Sequence, residues 1–231
     1  MRKLGIIGGM SWVSTRTYYE AINNFVQART DKRHSAPLLI ESLDFAPIYR
    51  LQEDTDWDRA ADVLADSARR LEAAGAGALV IAANSMHKVY DRVAEAVGVP
   101  IFHIAEAIGE KMAADGVETA ALLGTRNVMT ESFFRRRLVA HGVDLLPPDM
   151  VNVETLDRII YDELMVGKVT RDAQRALKTI ITVKEQDGAQ AIVLACTELD
   201  QIVDVDANVL PIYDSTRIHA HKAAEWILGE G

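Results

Sequence analysis

The chain has 231 residues, 49% hydrophobic and 26% charged, with a formal net charge of −9. That length suits one large domain or two lobes of about 100 residues each, and the acidic balance, with Arg135-Arg136-Arg137 as its densest basic run, speaks against a nucleic-acid partner. No apolar stretch approaches the roughly 20 residues of a membrane helix, and a single cysteine cannot close an internal disulfide, which points to a cytoplasmic protein without a membrane partner.

The start, Met1 to Gly9, reads as a first strand rather than an export signal. Its apolar part is short, and polar Ser11, Ser14, Thr15 and Arg16 follow at once. Short, apolar, β-branched runs predict strands at Lys3–Gly8, Pro37–Asp44, Ala78–Ala82, Ile101–Ile104, Thr119–Gly124, Ala191–Ala195 and Val209–Tyr213. Helical periodicity fills Asp58–Ala74, where Ala60, Val63, Leu64, Ala68 and Leu71 recur at three- and four-residue steps before Gly75 stops the helix. Arg171–Gln186 is another such segment, and Ser215–Leu228 reads as the final helix. Strands alternating with such helices imply an α/β fold with parallel sheets covered on both faces.

The two halves of the sequence resemble each other. Gly5-Ile6-Ile7-Gly8-Gly9 matches Ala121-Leu122-Leu123-Gly124-Thr125 at an offset of 116. Ala60, Leu64, Gly75, Ala76, Ala78 and Val80 match Ala173, Leu177, Gly188, Ala189, Ala191 and Val193 at 113. Val99-Pro100-Ile101-Phe102 matches Leu210-Pro211-Ile212-Tyr213 at 111. Three blocks in the same order predict a duplicated fold of two pseudo-symmetric lobes with an active-site cleft between them. The expected division is residues 1–112 plus 214–231 for the first lobe and 113–213 for the second, the final helix crossing back to the first.

Parallel sheets bind small ligands at the carboxyl ends of their strands. Four predicted strand ends carry distinctive residues: Gly8-Gly9-Met10-Ser11, Ala83-Asn84-Ser85-Met86-His87, Gly124-Thr125-Arg126-Asn127 and Cys196-Thr197-Glu198. The 113 offset sets Ala83 opposite Cys196, Asn84 opposite Thr197 and Ser85 opposite Glu198. Gly8-Gly9 by itself reads as a tight turn and lacks the third glycine of a dinucleotide fingerprint. His87 and His103 read as structural. No metal-ligand spacing and no P-loop is present.

Gly8-Gly9-Met10-Ser11-Trp12 with Ser14-Thr15-Tyr18-Tyr19, Asn84-Ser85-Met86-His87-Lys88-Val89, Leu122-Leu123-Gly124-Thr125-Arg126, Cys196-Thr197-Glu198, and Tyr213-Asp214-Ser215 with Ile218-His219-Ala220 resemble the signatures of the aspartate/glutamate racemases. The resemblance implies two α/β lobes around a cleft, commonly in a homodimer, and an amino-acid substrate, with neither pyridoxal phosphate nor a metal as cofactor. In that family two cysteines face each other; one removes the α-proton and the other protonates the opposite face. A thiolate suits the task because an electropositive pocket lowers its pKa, and donors aimed at the carboxylate stabilise the carbanion. By resemblance, Cys196 is one acid/base, and Asn84 and Ser85 bind the α-amino and α-carboxylate groups. Thr197 and Glu198 lie opposite them, Met10 and Ser11 line the first-strand side, and Thr125 offers a hydroxyl or N–H. Gln52 and Lys168 help hold the side-chain carboxylate; as a residue on its own, Lys168 reads equally as a solvated loop lysine.

The sequence departs from the family at the first acid/base, where Ala83 stands. Three functions fit: a racemase or epimerase of aspartate or glutamate, a one-sided lyase or decarboxylase like arylmalonate decarboxylase, which uses a single cysteine at the equivalent of Cys196, and a non-catalytic amino-acid binding relative.

Overall fold

The structure, a computed structural model, describes residues 1–53, 55–203 and 208–230, the side chains at 52 and 53 excepted. The chain divides into two compact units, Met1–Ile104 with His219–Gly231, and Ala105–Ile218.

The first unit runs β1 (Leu4–Gly8), α1 (Trp12–Arg29), β2 (Leu38–Ser42), α2 (Phe45–Glu53), α3 (Trp57–Ala73), β3 (Ala78–Ile81), α4 (Tyr90–Ala94) and β4 (Ile101–Phe102). Its four strands form one parallel sheet in the order β2-β1-β3-β4. Every residue of β1 and β3 is buried, as expected of central parallel strands that must be apolar on both faces. Leu4, Ile6, Ala78 and Val80 pack against Tyr18, Ile22 and Val26 of α1. Ile7, Leu79 and Ile81 pack on the other face against Leu64, Ala68 and Leu71 of α3. The α3 helix starts where Asp56 accepts a hydrogen bond from Arg59 N, and Gly75, at φ +92°, follows its end.

The second unit runs α5 (Ile104–Ala114), β5 (Thr119–Gly124), α6 (Arg126–Thr130), α7 (Ser132–Ala140), β6 (Asp144–Leu145), α8 (Met150–Arg158), α9 (Arg171–Gln186), β7 (Ala191–Ala195) and β8 (Ile212–Asp214). Its parallel sheet has the order β6-β5-β7-β8. Ala121, Leu123, Ile192 and Leu194 form its core with Val153 and Leu156 of α8 and Leu177, Ile180 and Ile181 of α9. Leu64 and Leu177 are counterparts, each 0–1% exposed; truncating either to Ala should cost about 2–5 kcal/mol. A last helix, α10 (Ser215–Leu228), belongs to the first unit from His219 onward and lays Ala220, Ala223, Ala224 and Ile227 on the β1/β3 face beside α1. Among the described residues no helix is long and apolar enough to cross a membrane.

The ladders repeat in register. Leu4 faces Ala78 in the first sheet and Ala120 faces Ala191 in the second; Leu79 faces Ile101, and Ile192 faces Ile212. These pairs are related by the offsets of 116, 113 and 111 read from the sequence.

Several predicted bounds shift. The strand expected at Pro37–Asp44 is Leu38–Ser42, and the one at Ile101–Ile104 ends at Phe102 because Ile104 opens α5. The strand expected at Val209–Tyr213 is Ile212–Asp214; Pro211, which has no N–H to donate, only accepts from Ile192 N at 2.9 Å. The two-residue β6, with Asp144 exposed, carries no apolar run and was not predicted.

Candidate active site

In the first unit the candidate residues stand at the carboxyl ends of the neighbouring strands β1 and β3. A Cβ on Gly9 (φ +87°) would lie 2.1 Å from the Leu43 carbonyl oxygen, so this glycine is required by backbone packing, as a turn reading implies. Ser11 caps α1, its Oγ accepting from Ser14 N at 3.4 Å. Thr15 Oγ1 accepts from Gly9 N at 2.8 Å and donates to the Ser11 carbonyl at 3.2 Å, which fixes the turn. Met10 is buried in one apolar cluster with Ala83 and Met86. Asn84 is 8% exposed, and its Oδ1 is buried with no hydrogen-bond partner. Half-buried Ser85 opens a short 3-10 helix, Ser85–Val89. The burial of an unpaired amide oxygen is unfavourable without a partner, which makes Asn84 Oδ1 a waiting acceptor.

His87 holds this strand end in shape. Its Nε2 accepts from Ile104 N at 3.2 Å, so that nitrogen carries no proton; Nδ1–H then donates to the Ala83 carbonyl at 2.9 Å. His219 is locked likewise, its Nε2–H donating to the Phe102 carbonyl at 2.9 Å and its Nδ1 accepting from Tyr18 Oη at 2.6 Å. Burial, with the neighbouring His87, pushes the His219 pKa down to about 3. The structural reading of His87 holds, and His219 shares it.

In the second unit the candidates stand at the ends of β5 and β7. Thr125 is buried and caps the short α6, but its Oγ1 has no hydrogen-bond partner. Cys196 follows β7 at 7% exposure and leads into the 3-10 helix Thr197–Gln201. Its Sγ–H donates to Glu198 Oε2 at 3.1 Å, and Thr197 Oγ1 donates to the same oxygen at 3.1 Å. Burial pushes the thiol well up, and the Glu198 carboxylate adds to the rise. A carboxylate two residues along folds back onto this sulfur, opposing the lowered pKa that an electropositive pocket would give, and the thiol rests protonated.

Lys168 is exposed, beyond Gly167 (φ +78°), and its N–H donates to the Glu163 carbonyl at 2.8 Å. The side chain of Gln52 lies outside the described residues. Sequence reasoning placed Ser215 within the Tyr213-Asp214-Ser215 signature but gave it no role; it is a fully buried hydroxyl without a partner at the start of α10. The preceding Asp214 accepts from Thr216 N through its Oδ1 at 2.9 Å. Among the described residues no His, Cys, Asp and Glu cluster could hold a metal ion.

Residues 7–223 match the family Asp/Glu/Hydantoin racemase. The chain is 23% identical to the Bacillus subtilis broad specificity amino-acid racemase RacX, over 92% of each chain. It is 40% identical, with a TM-score of 0.92, to a Yersinia pestis protein solved as a candidate Asp/Glu racemase, covering 99% of this chain and 100% of that one. An aspartate racemase homologue from Pyrococcus horikoshii is 32% identical with a TM-score of 0.86, again over 99% and 100%. The match in sequence runs through both duplicated halves and takes in Cys196, Asn84 and Thr125: the chain belongs to the Asp/Glu/hydantoin racemase family.

Proposed function

We propose that the protein is a cofactor-independent racemase or epimerase of an acidic amino acid, aspartate or glutamate, with Cys196 transferring the α-proton. The observation that carries this reading is the single thiol at the carboxyl end of β7, buried and hydrogen-bonded to Glu198 Oε2. The resemblance to the racemases supplies the other roles. Asn84 Oδ1 is an acceptor ready for an ammonium group, and Thr125 Oγ1 is a hydroxyl ready for a carboxylate. Ser85 and Thr197 join them, Met10 and Ser11 supply the wall after β1, and Lys168 with Gln52 takes the side-chain carboxylate. Relatives described as a candidate Asp/Glu racemase, an aspartate racemase homologue and a broad-specificity amino-acid racemase support the substrate class. The protein acts in the cytoplasm as a homodimer, without pyridoxal phosphate or metal.

A thiol that rests protonated is a ready acid, and Ala83 brings no proton. These two facts favour a second reading, a lyase or decarboxylase that protonates a carbanion on one face only. Incubation with L-aspartate or L-glutamate in D₂O, followed by NMR and chiral chromatography, separates the readings. The racemase yields the α-deuterated opposite isomer. A half-active site yields α-deuterated starting isomer. No deuteration with either amino acid contradicts the racemase reading and sends the search to malonate-type acids.

A further inference from the structure

We propose that Glu198 is the proton partner of Cys196, taking the thiol proton when the sulfur must act as a base and returning it when the sulfur must act as an acid. The proposal rests on Cys196 as the proton-transfer group and deepens that reading, because it gives Glu198 a task on the sulfur in place of one on the substrate.

Geometry supports it first. Sγ and Glu198 Oε2 share one hydrogen bond at 3.1 Å, and Thr197 Oγ1 donates to the same oxygen. Cys196 and Glu198 are 7% and 5% exposed, so bulk water is a poor alternative acceptor for the thiol proton. The environment then divides into two opposed sets. Burial and the Glu198 carboxylate hold the sulfur protonated; the backbone N–H groups of Glu198 and Leu199 pull towards the thiolate. Glu198 is the charged side chain acting on the sulfur. When its carboxylate accepts the proton, the charge that opposed the thiolate disappears and the two N–H donors remain.

The proton count closes without a co-reactant. The S–H bond breaks and an O–H bond forms on Glu198. The thiolate next takes the α-proton, so S–H re-forms as Cα–H breaks, and the electron pair stays on carbon. In the reverse direction the thiol protonates the carbanion and Glu198 returns its proton to sulfur. Nothing similar exists at the counterpart positions, where Ala83 and Ser85 replace Cys196 and Glu198.

Because the chain has one cysteine, its thiolate can be titrated by ultraviolet absorbance, with the Cys196→Ser titration subtracted to remove the tyrosines. In Glu198→Gln the thiol should titrate at lower pH than in the wild type, while α-hydrogen exchange with aspartate or glutamate falls about 10²–10⁴-fold. A more easily formed thiolate together with slower exchange is a combination that a merely structural residue does not give. Glu198→Asp, which keeps the acid but draws it back from the sulfur, should fall between the two, and it serves if the Gln variant does not fold. An unmoved thiol titration overturns the proposal, as does exchange as fast as wild type. If the wild type exchanges neither amino acid yet the thiol still titrates lower in Glu198→Gln, the racemase reading fails and the proton pairing stands.

Discussion

The ends of β3 and β7 are the same place in the two halves of a duplication, and they have been put to different use. Both strands are central, fully buried and parallel to the strand that opens their unit. Both run into a 3-10 helix, Ser85–Val89 in one and Thr197–Gln201 in the other. After β3 the groups that follow serve the backbone: His87 ties the Ala83 carbonyl to Ile104 N–H, and Ala83 itself joins an apolar cluster. After β7 the side chains pair with each other, thiol to carboxylate, and the counterpart of His87 is Asp200, in an exposed ion pair with Arg217 at 3.5 Å. A shared backbone register therefore leaves the two strand ends free to carry different side chains, Ala83 in one half and Cys196 in the other.

The largest expected effect comes from making the halves alike. Ala83→Cys places a second thiol at the counterpart position and should raise two-way racemisation about 10²–10⁴-fold, followed by optical rotation from either isomer. No gain in a folded variant that keeps Cys196 and binds acidic amino acids breaks the comparison and moves one-sided protonation ahead.

Next is the backbone device. His87→Ala leaves a buried carbonyl and a buried N–H unpaired, at about 1–3 kcal/mol each, whereas Asp200→Asn should cost about 0–1 kcal/mol because its ion pair is exposed. Urea unfolding of both variants checks the ranking; equal losses would mean that the two strand ends are held in the same way.

A smaller effect should follow pH. His219 titrates near 3 when folded against an ordinary 6.5. Its folded pKa is depressed and its neutral form is the native one, so the unfolded chain binds the proton first. The stability this group contributes is complete above about pH 6.5 and is lost as pH falls, at about 1.4 kcal/mol per pH unit down to about pH 3. Between pH 6.5 and 5 that is about 2 kcal/mol, and His219→Gln should flatten this part of the urea-midpoint curve. An unchanged slope would remove His219 from the account.

Much of this comparison was legible in the sequence. The 113 offset placed Ala83 opposite Cys196, and the ladders pair at all three offsets, because central parallel strands must be apolar throughout and so advertise themselves. What the sequence hid was local. The two residues of β6 lack any apolar run, and the π-helix Ile159–Glu163 that precedes Lys168 has no pattern distinct from an α-helix. The state of the thiol was hidden too, since spacing alone does not tell that the carboxylate of Glu198 turns back to Sγ. The unpartnered oxygens of Asn84, Thr125 and Ser215 depend on what fails to reach them, which only coordinates show.

The central claim is that the half carrying Cys196 moves the proton. The direct measurement is α-hydrogen exchange of L-aspartate and L-glutamate in D₂O, by NMR, with wild type and Cys196→Ala side by side and circular dichroism to confirm folding. The account predicts deuterium at the α-carbon with the wild type and none above background with Cys196→Ala. Exchange at the wild-type rate in the folded Cys196→Ala protein would contradict it.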